Sequence, residues 1–195
     1  MALGEGLYRH RGWVPVVPIV ALLVFARPTA AGVAAGAGLW GVGEGIRLWA
    51  AAYLGKTARS SRPRAVKLVT GGPYAHTRHP LYWGNFLLTV GFVLLCGAGW
   101  PWVPAVVVPA FWGLYGVHAR REEAVLARAF PAAHARYRKR VPRWRWRLRP
   151  AAVPGAGERG RPGLRRALRV EARTLGAEGW LLIALGLRAA LFGSQ

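Results

Sequence analysis

A single cysteine in 195 residues is the first scarcity in this sequence. Cys96 has no partner within the chain, so neither a disulfide framework nor a cysteine-rich metal site can form there. Its place inside an apolar run marks it as a small buried hydrophobe. Acid is scarce as well: seven acidic residues face 28 Lys and Arg, a formal charge of +21 with a pI near 11.8. Such a deficit calls for an anionic partner, either nucleic acid or a membrane surface. Yet 53% of the residues are hydrophobic and the mean hydropathy is +0.21, an excess that a soluble chain of this length would struggle to hide. The conflict dissolves along the chain, because apolar residues come in blocks with Lys and Arg between them. The cations follow that topological rule, so the implied partner is a bilayer with anionic lipids and not nucleic acid.

The blocks predict helices. Residues 13–26 are apolar except for Pro15 and Pro18, and a second apolar segment at 29–54 follows almost at once. That succession reads as a helical hairpin and not as a cleaved leader. The second segment carries Gly32, Gly36, Gly38, Gly41, Gly43 and Gly45, which suits close packing against a neighbouring helix. Within it Glu44 and Arg47 are three apart and predict an ion pair across one turn. A third apolar helix is expected at 81–97 and a fourth at 101–117, with Trp100 and Trp102 as interfacial aromatics at their junction. Residues 120–140 turn amphipathic, with a break near Pro131. Arg and Trp alternate over 143–147, a composition suited to lipid headgroups. The expected organisation is a membrane domain at 1–150, a Gly/Pro linker at 151–163 and an amphipathic or membrane-docked helix at 164–195. Basic and neutral loops alternate, which places both termini and the loop at 56–78 in the cytoplasm.

Polar residues concentrate at two places. Between Gly72 and Gly84 lie Tyr74, His76, Arg78, His79 and Tyr82, immediately before the third apolar helix. Arg120, Arg121, Glu122 and Glu123 lie at the far end of the hydrophobic hairpin that follows. A hairpin returns both clusters to one membrane face, and polar groups at such a depth are costly unless they bind something. His76 and His79 are three apart, but no further Cys, His or Asp cluster accompanies them, so no metal is expected.

The stretch from Leu68 to Tyr74, followed by Arg78-His79-Pro80-Leu81-Tyr82-Trp83-Gly84, resembles the first signature of the isoprenylcysteine carboxyl methyltransferase and phospholipid methyltransferase superfamily. The second signature follows in order with Glu122-Glu123, Leu126, Phe130, Tyr137 and Arg138-Lys139-Arg140-Val141-Pro142-Arg143. The resemblance covers roughly residues 65–143. It implies an all-α polytopic membrane bundle of about four to five spans, capped by cytosolic amphipathic helices. It also implies S-adenosylmethionine as methyl donor, held by Val66, Lys67, Leu68, Val69, Tyr74, His79, Pro80, Leu81, Tyr82 and Glu122. His118, Arg121 and Glu123 are the candidate catalytic residues. The acceptor implied is a lipophilic small molecule: a prenylcysteine-type carboxylate, a lipid amine or a small thiol.

One position departs from the pattern. Where the protein-prenylcysteine enzymes carry an arginine for the substrate, one turn before the cofactor glutamate, this chain has His118. A neutral histidine can take a proton from an amine, thiol or hydroxyl, whereas a carboxylate acceptor needs a cation such as Arg120 or Arg121. Two other classes remain open on sequence: an NADPH-dependent reductase of the related sterol-reductase layout, and a non-catalytic lipid-binding protein of the same fold.

Overall fold

The computed structural model describes residues 16–54, 67–155 and 163–192. Val66, the basic loop expected at 56–64, and residues 156–162 of the expected linker lie outside the described residues, as does the start of the first apolar block. The described part is all-helical: α1 (Val16–Val24), α2 (Ala30–Leu54), α3 (Pro80–Cys96), α4 (Trp102–Ala129), α5 (Pro131–Arg140) and α6 (Leu164–Phe192). A short 3-10 turn, Gly72–Ala75, precedes α3.

The packing of α2 against α3 organises the bundle. A Cβ on Gly36 would lie 2.7 Å from the Gly91 carbonyl oxygen, and one on Gly43 would lie 2.9 Å from that of Gly84. The two backbones therefore touch along a stripe repeating every seventh residue, which bare glycine surfaces permit. Gly38, Gly41 and Gly45 meet nothing within 4 Å, so only part of the glycine content is spent on this contact. At its far end α3 stops at Gly97, whose φ of +61° closes the helix in the left-handed conformation. A side chain there would run into the Arg27 carbonyl.

Phe92, Leu95 and Cys96 of α3 join Ala26 and Leu185 in one core cluster, with Trp40 packed against it. Cys96 is fully buried, as its apolar setting predicts. α6 thus packs as a member of the bundle. Ala167 is buried against Ala51 and Ala52 of α2, and Arg47 bonds both Glu171 and Glu178 of α6, the latter at 2.8 Å. The predicted Glu44–Arg47 pair forms at 3.8 Å but is the loosest of these contacts.

α4 is one continuous helix, so the apolar segment and the first amphipathic turns share an axis. Phe130 and Pro131 then break it where proline was expected to. Among the described residues two helices, α4 and α6, are long and apolar enough to cross a membrane, and α3 is a shorter apolar helix. Large apolar side chains face outward on both, among them Trp102, Val106 and Leu114 on α4, and Trp180, Ile183 and Leu187 on α6.

Candidate active site

The two polar clusters meet at one end of α3 and α4. α3 starts at Pro80, whose missing N–H and fixed φ suit the first helical position, and His79 is the residue just before it. Across from it the charged last turns of α4 extend beyond the apolar stretch that ends at Val117. Glu123 lies on the buried side of these turns and is tied to both signatures. His79 Nε2 lies 3.0 Å from Glu123 Oε1. Because an ionised carboxylate only accepts, Nε2 carries the hydrogen. Arg143 donates through Nε to Oε1 at 3.0 Å and through Nη2 to Oε2 at 2.6 Å, and Arg78 Nη1 lies 2.9 Å from Oε1. Burial alone would push the Glu123 carboxyl up; the hydrogen bonds from His79 and Arg143 and the charge of Arg78 overcome it and hold the group at about 2.

Glu122, one residue earlier, faces the other way. Its side chain is 51% exposed, against 7% for Glu123. Tyr82 donates its hydroxyl to Glu122 Oε2 at 3.0 Å, and His79 Nδ1 stands 3.7 Å from the same oxygen. The Tyr82 ring stacks on His79 at 5.1 Å with the planes 2° apart, and its edge meets Tyr115 at 4.8 Å. Trp144 closes this aromatic wall, 5.3 Å from His79 and 5.0 Å from Trp112. Tyr74 is buried nearby, and its hydroxyl has no hydrogen-bond partner among the described residues. Burial pushes that phenol well above its ordinary range, and the charge of Glu122 adds to the shift.

α5 and the segment after it lock the first signature in place. Tyr137 donates to the Tyr74 carbonyl at 2.7 Å, the Arg78 amide to the Pro142 carbonyl at 3.0 Å, and Thr77 Oγ1 to the Arg143 carbonyl at 3.0 Å. The Arg147 amide reaches the His76 carbonyl at 3.0 Å, and the Ala151 amide that of Ala75 at 2.9 Å. Trp83 Nε1 donates to the Trp144 carbonyl at 2.6 Å. The Arg/Trp alternation, which reads as a headgroup anchor in the sequence, has a second use here. Trp144 and Trp146 are half-buried beside His79 and His76, while Arg145 and Arg147 are exposed.

The expected site residues divide into three groups. Tyr74, His79, Tyr82, Glu122 and Glu123 come together. Leu68 and Val69 send their side chains into core clusters on either side, Leu68 with Tyr137 and Val141, and Val69 with Ala50 and Tyr74. Lys67 is half-buried, Pro80 is buried at the start of α3, and Leu81 packs on the Val69 cluster. His118 is exposed on α4, one turn before Glu122, with its ring 6.1 Å from Tyr115. Arg121 is exposed, and no hydrogen bond or ion pair ties it to this cluster among the described residues. Arg143, Trp144 and Tyr115 are the additions: Arg143 ends the second signature, but its bidentate grip on Glu123 depends on the chain folding back. Among the described residues no group of three or more His, Cys, Asp or Glu is placed to hold a metal ion.

A helical bundle with two signatures interlocked at one end defines a class, and comparison with known proteins agrees. A family model described as phospholipid methyltransferase matches residues 31–133, and the chain belongs to that family. It is similar to the cobalt-zinc-cadmium resistance protein CzcN of Cupriavidus metallidurans, 38% identical over 96 residues, covering 49% of this chain and 40% of that protein. The nickel-cobalt-cadmium resistance protein NccN of Alcaligenes xylosoxydans is 36% identical over 85 residues, 44% of this chain and 36% of its own. A protein-S-isoprenylcysteine O-methyltransferase of Schizosaccharomyces pombe is 34% identical over 84 residues, 43% of this chain and 34% of that enzyme. The matches thus span between about a third and two fifths of these relatives' lengths. No solved structure matches the chain.

Proposed function

We propose that this chain is a membrane methyltransferase that binds S-adenosylmethionine on the rim formed by Glu122, Tyr82 and Tyr74. The observation that carries the reading is the contrast at that rim: an accessible carboxylate beside a buried hydroxyl that lacks a partner. A buried orphan hydroxyl costs about 1–3 kcal/mol, which a polar ligand atom would relieve. The donor set fits the cofactor, which carries an ammonium, a carboxylate and a sulfonium. When bound, S-adenosylmethionine supplies an electrophilic methyl group.

The chain's own residues supply the rest. Glu122 pairs with the ammonium, and the faces of Tyr82 and Trp144 offer aromatic surface to adenine or to a positive sulfur. Since the Leu68 and Val69 side chains are used in the core, that segment meets the ligand through its backbone, with Lys67, Pro80 and Leu81 framing it. Glu123 is a positioning residue, holding His79 in one tautomer and one orientation. The acceptor reaches the site from the bilayer, whose anionic lipids attract the basic cytoplasmic loops. Methyl transfer asks chiefly for in-line placement and exclusion of water. In this reading His118, one turn before Glu122, takes a proton from an amine or thiol acceptor, and Arg121 steadies a carboxylate one.

The test is transfer of label from methyl-labelled S-adenosylmethionine, in membranes carrying the protein, to lipid amine, thiol or farnesylcysteine acceptors. For an amine or thiol, His118→Arg should abolish transfer while the cofactor still binds, and the wild-type rate should rise with pH through the acceptor's pKa. For a carboxylate, His118→Arg should keep or raise the rate, which should stay nearly flat with pH. A protein that neither binds the cofactor nor labels any acceptor contradicts the reading.

A further inference from the structure

The outer side of residues 138–147 holds a feature that the methyl-transfer reading does not use. A cleft of about 350 Å³ is lined by Arg138, Lys139, Arg140, Arg145 and Arg147, with Val141, Pro142 and Trp146 completing its walls. All five cations are exposed, and none is in an ion pair with an acid among the described residues. Glu123, the nearest acid in the chain among the described residues, is already taken by Arg143, Arg78 and His79.

Two of these guanidinium groups are fixed by neutral acceptors. Arg140 Nη1 donates to the Ala152 carbonyl at 2.6 Å, and Arg147 Nη1 to the Arg140 carbonyl at 3.1 Å. A carbonyl orients a cation without cancelling its charge, so the cleft is both positioned and positive. The last turn of α5 accounts for Arg138, Lys139 and Arg140, because cations favour the negative end of a helix dipole. It does not account for Arg145 and Arg147, which reach the same cleft from the following segment. Five like charges converging from two elements repel one another unless an anion offsets them. Guanidinium forks match tetrahedral oxyanions in both charge and geometry.

We propose that this cleft is a discrete binding site for a phosphate-bearing ligand, supplied either as a lipid headgroup or as free phosphate. It goes beyond the methyl-transfer reading, because none of the five cations belongs to the Glu122 rim.

The experiment uses the full chain in uncharged detergent micelles, titrated with dihexanoylphosphatidylglycerol and, separately, with inorganic phosphate. Binding is read by calorimetry. In the triple variant Arg138→Gln/Lys139→Gln/Arg145→Gln, three exposed side chains lose their charge. A control, Arg165→Gln/Arg169→Gln/Arg173→Gln, removes the same charge from exposed positions on α6. The expected result is saturable binding of one molecule per chain, weakened about tenfold or more in the cleft variant and unchanged in the control. Binding of the phosphatidylglycerol alone identifies a headgroup; phosphate that binds and competes with it identifies the free ion. The single variant Arg145→Gln should show a smaller loss in the same direction, which guards against a folding defect in the triple. Cofactor affinity should stay at its wild-type value in the cleft variant, so this site and the methyl-transfer reading can fail separately. Equal losses in the two triple variants, or no saturable binding of either probe, would overturn the proposal.

Discussion

Around Glu123 both carboxylate oxygens are engaged by buried or half-buried partners, whereas Glu122, the preceding residue of α4, keeps half its side chain open to the outside. The first arrangement holds three pieces of chain together: the loop before α3 through Arg78 and His79, the end of α4, and the segment after α5 through Arg143. The second presents a half-exposed carboxylate, held by the Tyr82 hydroxyl and set beside an aromatic wall. A buried charge can persist only when fully paired, and a binding carboxylate is useful only while it is not. Two adjacent acids on one helix, turned about 100° apart, meet both requirements without interfering. The rigid half orients the open half, because His79 bonds Glu123 with one nitrogen and turns the other toward Glu122.

The comparison is broken most severely by Glu123→Ala. That change leaves Arg78, His79 and Arg143 without their common partner and should cost about 3–5 kcal/mol of stability, the range for breaking a buried pair. Thermal unfolding in detergent measures it. A loss comparable to that of an exposed substitution would mean the contacts are ornamental.

Acid should dissolve the same contacts. The Glu123 carboxyl sits at about 2 in the fold against an ordinary 4.5, so its folded-state value is depressed. Its contribution is therefore fully present above about pH 4.5 and is lost as pH falls from there toward 2. The loss amounts to roughly 3 kcal/mol at the acid end. Denaturation midpoints should be level between pH 7 and 5 and then fall; a flat profile down to pH 3 would count against the assignment.

A smaller effect is expected away from the site, at the α2–α3 contact that carries it. Gly36→Val forces a side chain to within 2.7 Å of the Gly91 carbonyl oxygen and should cost about 1–3 kcal/mol. Gly38→Val, on the open face, serves as the control and should be close to neutral.

Much of this organisation was legible in the sequence. Apolar blocks locate α2 and α3 to within a residue, and Pro131 marks the break between α4 and α5. The two signatures do come together, as a hairpin between them requires. What stayed hidden depends on long-range packing. Hydropathy cannot tell which of two adjacent glutamates faces inward, because the choice rests on Arg143, twenty residues on. Arg47 was paired in sequence with Glu44, yet its shorter contacts lie more than a hundred residues away on α6. The inward turn of Trp144 is invisible to composition, since alternating Arg and Trp suits a lipid surface equally well.

The central claim is a division of labour between the two glutamates, and S-adenosylmethionine affinity in Glu122→Gln, measured with the unfolding temperature, tests it most directly. The account predicts an unchanged unfolding temperature without cofactor, together with a loss of binding of about 1.5–3 kcal/mol, the range for a hydrogen bond to a charged group. Wild-type affinity in a folded Glu122→Gln protein would contradict it.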